Sequence, residues 1–63
     1  MDIEWLSTAE AAELLGITPR TLYRLINAGD VPAYRIGRVI RLQRAEVLDY
    51  IERSRITPER PPG

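Results

Sequence analysis

Ser7-Thr8-Ala9-Glu10-Ala11-Ala12-Glu13-Leu14-Leu15-Gly16-Ile17-Thr18-Pro19-Arg20-Thr21-Leu22-Tyr23-Arg24-Leu25-Ile26 holds two helix starts separated by a helix stop. Ser7 to Glu10 is a capping box, in which the Ser7 hydroxyl accepts from the Glu10 backbone N–H and the Glu10 carboxylate reaches back. Leu6 precedes the cap and is placed to staple onto Ala11. Gly16 suits the left-handed position that ends a helix, so the first helix is predicted over Thr8 to Leu15, with Ile17 as an apolar plug. Thr18-Pro19 is the second start, a hydroxyl cap followed by proline at the first helical position. Leu22, Leu25 and Ile26 then form one inward stripe, and Gly29 closes a helix over Pro19 to Ala28, roughly 15 Å long at 1.5 Å per residue. Two short helices joined through Gly16-Ile17-Thr18 fit a helix-turn-helix, whose turn is short and often contains glycine. An αα-hairpin in a small bundle is the competing reading, but its helices are normally longer.

Working outward, Asp30-Val31-Pro32 is a turn, and the proline keeps Val31 extended. Ala33-Tyr34-Arg35-Ile36 and Val39-Ile40-Arg41-Leu42 are strand-like segments around Gly37-Arg38. Glycine first in a two-residue loop suits a type II′ hairpin, pairing Ile36 with Val39 and Tyr34 with Arg41. A longer, four-residue loop fits the same residues. From about Arg44 the spacing is helical again, with Val47, Leu48, Tyr50 and Ile51 apolar. Residues 55–63 gather three of the five prolines and are expected to form a disordered tail beyond a single domain over 1–54. The fold expected is mainly α with a small β-hairpin, in the order α-α-β-β-α. Upstream, Trp5 is expected to cover the small core, and Tyr50 to pack on it.

The 63 residues allow one domain, which buries only roughly 60% of its unfolded surface. There is neither cysteine nor histidine, which excludes disulfide staples, zinc–thiolate sites and the common catalytic triads. No paired base and nucleophile is present, so neither an enzyme nor a cofactor is expected. No apolar run is long enough to span a membrane, and no basic signal-peptide start is present, leaving a cytoplasmic binding module as the expectation.

Formal net charge is zero, yet the charges are sorted along the chain. Residues 1–17 carry −4, residues 18–44 carry +5, and residues 45–63 carry −1. The basic block holds Arg20, Arg24, Arg35, Arg38, Arg41 and Arg44 against Asp30 alone, the footprint of a phosphate-binding surface. All nine bases are arginine, whose planar fork matches phosphate and guanine. With Leu22, Leu25 and Ile26 inward, Arg20, Thr21, Tyr23, Arg24 and Asn27 share the outer surface of the second helix. Arg20 and Arg24, four apart, stack on one face with Tyr23 beside them. A helix N-terminus adds its positive dipole end. Arg38 at the hairpin tip is placed to reach a minor groove or a phosphate strand, with Arg35 and Arg41 behind it. Tyr34 is open between core, strand partner of Arg41 and DNA contact.

The run Leu6 to Ile26 quoted above, continued by Gly29-Asp30-Val31-Pro32-Ala33-Tyr34-Arg35-Ile36-Gly37-Arg38, Arg41-Leu42 and Glu46-Val47, resembles the small excisionase-type helix-turn-helix proteins, relatives of the MerR DNA-binding domain. The likeness covers about Leu6 to Arg53. It implies a winged helix-turn-helix, with the second helix reading the major groove of double-stranded DNA and the wing touching the adjacent minor groove or backbone. On matching positions it implies DNA contacts by Thr18, Arg20, Thr21, Tyr23 and Arg24, with Arg35, Gly37, Arg38 and Arg41 on the wing. The chain stops where MerR regulators continue into a dimerisation helix and effector domain, so no small-molecule effector is expected. Two roles compete within the family. One is an excisionase, which binds repeated sites cooperatively and bends DNA so that an integrase runs excision; the bare length favours it. The other is a small transcriptional regulator binding promoter direct repeats. The acidic start and last helix are expected to meet the basic middle of a neighbouring copy, giving head-to-tail assembly. A protein-interaction module, antitoxin-like or adaptor, using the last helix is the reading from a different class.

Overall fold

The computed structural model describes residues 2–56. Its elements are β1 (Trp5–Ser7), α1 (Thr8–Leu15), α2 (Pro19–Asn27), β2 (Tyr34–Ile36), β3 (Val39–Gln43) and α3 (Arg44–Arg53).

Local chemistry sets the helix boundaries. Both halves of the capping box are made: Glu10 N–H donates to Ser7 Oγ at 3.1 Å, and Ser7 N–H donates to Glu10 Oε1 at 2.9 Å. Gly16 ends α1 at φ +73°, a conformation that costs a residue with a Cβ. From there Ile17 N–H bonds back to the Ala12 carbonyl at 3.0 Å. Thr18 caps α2 by accepting from Thr21 N–H at 3.2 Å, with Pro19 in the first turn. α3 follows β3 without a side-chain cap; Glu46 supplies an acid to its first turn and Arg53 a base to its last.

The three strands form one antiparallel sheet in the order β1-β3-β2. β2 and β3 pair Ile36 with Val39 and Tyr34 with Arg41, the tight register of a two-residue loop. Gly37 has φ +66° while, among the described residues, no non-glycine residue has positive φ, as a type II′ turn at Gly37-Arg38 requires. β1 was not expected, and it adds a strand to the order α-α-β-β-α. It pairs Leu6 with Leu42 and Trp5 with Gln43 on the far edge of β3.

This pairing corrects the place of Trp5. Leu6 and Leu42 point to the core, so by strand alternation Trp5 lies on the outer face. There it is 38% exposed and meets Tyr34 edge-on, with ring centroids 5.4 Å apart. The core is Leu6, Ala11, Ala12, Leu22, Val31, Leu42 and Val47, fringed by Leu15, Ile17, Leu25, Ile26, Ala33, Ile40 and Tyr50. Leu6 and Ala11, the expected staple pair, both sit in it. The hub is α1, which packs against β1, β3, α2 and α3. Small side chains at Ala11 and Ala12 let these neighbours approach closely. The helix-turn-helix and the hairpin are thus two arms on one small core.

Ser54 closes α3 by donating its hydroxyl to the Tyr50 carbonyl at 2.7 Å. Beyond it Arg55 and Ile56 are exposed and irregular. The rest of the expected tail, 57–63, lies outside the described residues. Among the described residues no helix is long and apolar enough to cross a membrane.

Candidate nucleic-acid interface

On α2, Leu22 is fully buried and fixes the inward direction. At 100° per residue, Arg20, Arg24 and Asn27 then lie on the opposite side, with Tyr23 on one flank. All four are exposed. Thr21 falls on the other flank, half-buried beside Leu25 in a groove it shares with Tyr50 and Ile51 of α3. Its hydroxyl accepts from the Thr18 hydroxyl at 3.1 Å. Thr21 is therefore part of the turn that holds the helix, not of the outer face where the sequence placed it.

The start of α2 is narrower as an anion site than a bare helix N-terminus. Pro19 has no N–H, and Thr18 takes that of Thr21. Leu22 N–H donates to the Thr18 carbonyl at 3.0 Å. Arg20 N–H is the first-turn donor left for an outside acceptor, beside its own guanidinium.

The hairpin register splits the wing arginines. Arg35 pairs with Ile40 and shares the face of Ile40 and Leu42, whereas Arg41 pairs with Tyr34 and shares the face of Ile36 and Val39. Arg38 sits in the turn between the faces. Arg35, Gly37 and Arg38 are exposed, but Arg41 is half-buried, and its Nη1 donates to the Ile40 carbonyl at 3.1 Å. The three wing arginines therefore ring the hairpin instead of lining a single side.

Carboxylate pairing separates the arginines into two sets. Arg53 contacts Asp49 at 2.8 Å, Arg55 contacts Glu52 at 3.8 Å, and Arg44 contacts Glu4 at 4.0 Å. Arg20, Arg24, Arg35, Arg38 and Arg41 have no carboxylate within reach among the described residues. Arg44, counted by sequence in the basic block, belongs to the first set because β1 brings Glu4 alongside it. The cations left over are those of α2 and the hairpin.

Tyr34 ties the hairpin to the rest of the molecule, a role the sequence left open. Its hydroxyl donates to Glu46 Oε2 of α3 at 3.1 Å, while its ring packs on Trp5 of β1. The hydrogen bond to Glu46, then desolvation and the Glu46 charge, raise the Tyr34 pKa above the ordinary 10.0. Sequence reading missed Glu46 and Trp5 as partners, since neither is near Tyr34 in the chain. It also passed over Ile36 and Val39, which stay 46% and 43% exposed at the hairpin end. The register it proposed was enough to find them. Among the described residues no group of histidine, cysteine or carboxylate side chains is arranged to hold a metal ion.

Residues 5–55 match the family model described as "Helix-turn-helix domain". Over 49 residues the chain is 41% identical to a Mycobacterium tuberculosis protein named "Putative DNA-binding protein Rv0500A", covering 78% of this chain and 63% of that one. Over 50 residues it is 46% identical to "Uncharacterized protein Rv2310" of the same species, covering 79% of this chain and 44% of that one. The chain thus spans less than two thirds of the length of these relatives. No solved structure matches it significantly. The family match takes in both arms and the core between them, and the chain belongs to the helix-turn-helix domain family.

Proposed function

We propose that this protein binds double-stranded DNA, with α2 in the major groove and the β2–β3 hairpin at the adjacent minor groove. Arg20, Arg24, Asn27 and Tyr23 meet base edges and phosphates, while Thr18 and Thr21 hold the turn against the backbone. Arg35, Gly37, Arg38 and Arg41 form the wing contact. The observation that carries this reading is the division of the arginines. Those on α2 and the hairpin are free of carboxylates, and those elsewhere among the described residues are paired. The relative named as a DNA-binding protein supports it.

In this reading the protein is a recombination directionality factor of the excisionase type. Several copies bind repeated sites and bend the DNA, and an integrase performs the strand chemistry. The alternative, a MerR-like regulator at promoter repeats, uses the same contacts. Gel shifts and footprints on DNA flanking the protein's own gene test the shared part. Five arginine–phosphate contacts give a slope of log affinity against log salt near −4.5, roughly 0.9 per contact. Binding that ignores salt, or no binding, sinks the reading. Where an integrase is encoded beside the gene, an excision assay with it separates the roles, because only a directionality factor raises excised product.

Cooperative contact between copies rests here on apolar surface more than on charge. Asp49, Glu52 and Glu4 already meet arginines of their own chain. Leu48 and Ile51 on α3 are about two-fifths exposed and supply the apolar alternative. Footprints that stay confined to independent sites as protein rises would remove the copy-to-copy contact.

A further inference from the structure

Ile36 and Val39 are directly paired across the end of the hairpin, on one face, next to the turn at Gly37-Arg38. Among the described residues they remain 46% and 43% exposed. Arg41 lies on their face, Arg38 in the adjoining turn and Arg35 on the opposite face of β2, and among the described residues none of the three has a carboxylate within reach. An apolar pair flanked by guanidinium groups without carboxylate partners has the chemistry of a surface that meets a polyanion with an apolar interior. Duplex DNA offers that combination where phosphates line a groove and deoxyribose walls and base edges lie within it.

We propose that Ile36 and Val39 are an apolar wedge that enters the minor groove and bends the DNA, with the three arginines holding the flanking phosphates. This rests on the DNA-binding reading and names the side chains that deform the duplex. A minor groove about 6 Å wide is too narrow for a two-stranded hairpin, so only the end fits, and only if the groove opens. Apolar side chains pressed against base steps partly unstack them and kink the helix toward the major groove. Flexible pyrimidine–purine steps yield most easily, so the wedge selects sequence without reading hydrogen bonds. The paired register matters, because it presents two β-branched side chains as one rigid block. The Trp5–Tyr34 contact behind them braces the same face.

The test uses the full chain and a duplex selected from a random-sequence pool by the wild-type protein, labelled at both ends so that energy transfer reports the bend. Replacing both residues (Ile36→Thr and Val39→Thr) keeps the β-branched shape that favours a strand while removing apolar surface. The bend is expected to fall by about half and affinity roughly five-fold, the size of one or two methyl groups losing apolar contact. The salt slope stays the same, because no charge is removed. A threonine variant that bends and binds as the wild type does would overturn the proposal, as would a wild-type complex that is straight. No wild-type retention of any duplex would overturn the DNA-binding reading itself. Should the double variant melt early, Val39→Thr alone, read by the same bend, decides between these outcomes.

Discussion

α2 and α3 both carry exposed arginines, yet the two helices use them in opposite ways. On α3, Arg53 sits four residues from Asp49 and bonds it at 2.8 Å, and just beyond the helix Arg55 lies near Glu52. On α2, Arg20 and Arg24 are also four apart, but they face each other and no acid lies on that helix. An isolated helix is stabilised by the first arrangement and destabilised by the second, each by a few tenths of a kcal/mol. The comparison shows how a chain of zero net charge presents a basic surface. Neutrality is achieved by local pairing in one region, so the excess acid lies away from the cations that are left free.

The most drastic way to break this comparison is to remove the core both regions share. Leu42 is fully buried and pairs with Leu6 at the centre of the sheet. Leu42→Ala is expected to destabilise the domain by about 2–5 kcal/mol. For a small domain that is a large part of the total stability, so thermal melts lose their transition and DNA binding disappears with it. A folded Leu42→Ala protein that keeps binding would mean the arms do not depend on a common support.

Next comes the direct test of the two sets. Arg24→Ala is expected to weaken specific binding by about 1–3 kcal/mol, read by gel shift, and leave the melting temperature nearly unchanged. Arg53→Ala is expected to do the reverse, with binding unaltered and stability lower by less than about 0.5 kcal/mol. Equal losses of affinity would erase the distinction. A subtler version uses the hairpin. If the turn arginine meets phosphate, as proposed, Arg38→Ala should reduce the salt slope by about 1 and weaken binding uniformly across sequences. Loss at particular bases only would move Arg38 to base readout.

What the sequence revealed follows the range of the interaction. The capping box at Ser7 and Glu10, the Gly16 stop, the Thr18-Pro19 start and the turn at Gly37-Arg38 are set by residues within a few positions of one another, and all were legible. The pairing of Ile36 with Val39 was one of two loop readings the sequence left open, and the structure takes the tighter one. β1 was not. Three residues are too few to show an alternating pattern, and Trp5, Leu6 and Ser7 become a strand only because β3 offers its second edge. The partner of Arg44 was hidden for the same reason, as Glu4 reaches it through that pairing. Thr21 was placed outward by counting the residues left over from the Leu22 stripe, whereas that flank faces a groove lined by Tyr50 and Ile51 of α3. The opposite facing of Arg35 and Arg41 follows from the tight register, in which their pairs are adjacent.

The smallest expected effect lies at the joint between the two regions. Tyr34 belongs to the hairpin and Glu46 to α3, so their hydrogen bond is where the paired half of the molecule steadies the free half. Tyr34→Phe keeps the ring on Trp5 and removes only the hydroxyl, and is expected to lower DNA affinity roughly three-fold by loosening the wing. If the loss comes through wing position, it vanishes in an Arg38→Ala background, where the wing contact is already gone; additive losses would make the hydroxyl merely stabilising. The pH dependence has a definite sign. The folded protein raises the Tyr34 pKa, so it holds this proton more tightly than the unfolded chain does. The stabilisation is therefore complete below the ordinary tyrosine value of 10.0 and is lost as pH rises through the higher folded value. Melting temperatures followed from neutral pH to above that value should fall more for wild type than for Tyr34→Phe. Parallel curves for the two proteins would break the joint and leave the hairpin held by its pairing with β3 alone.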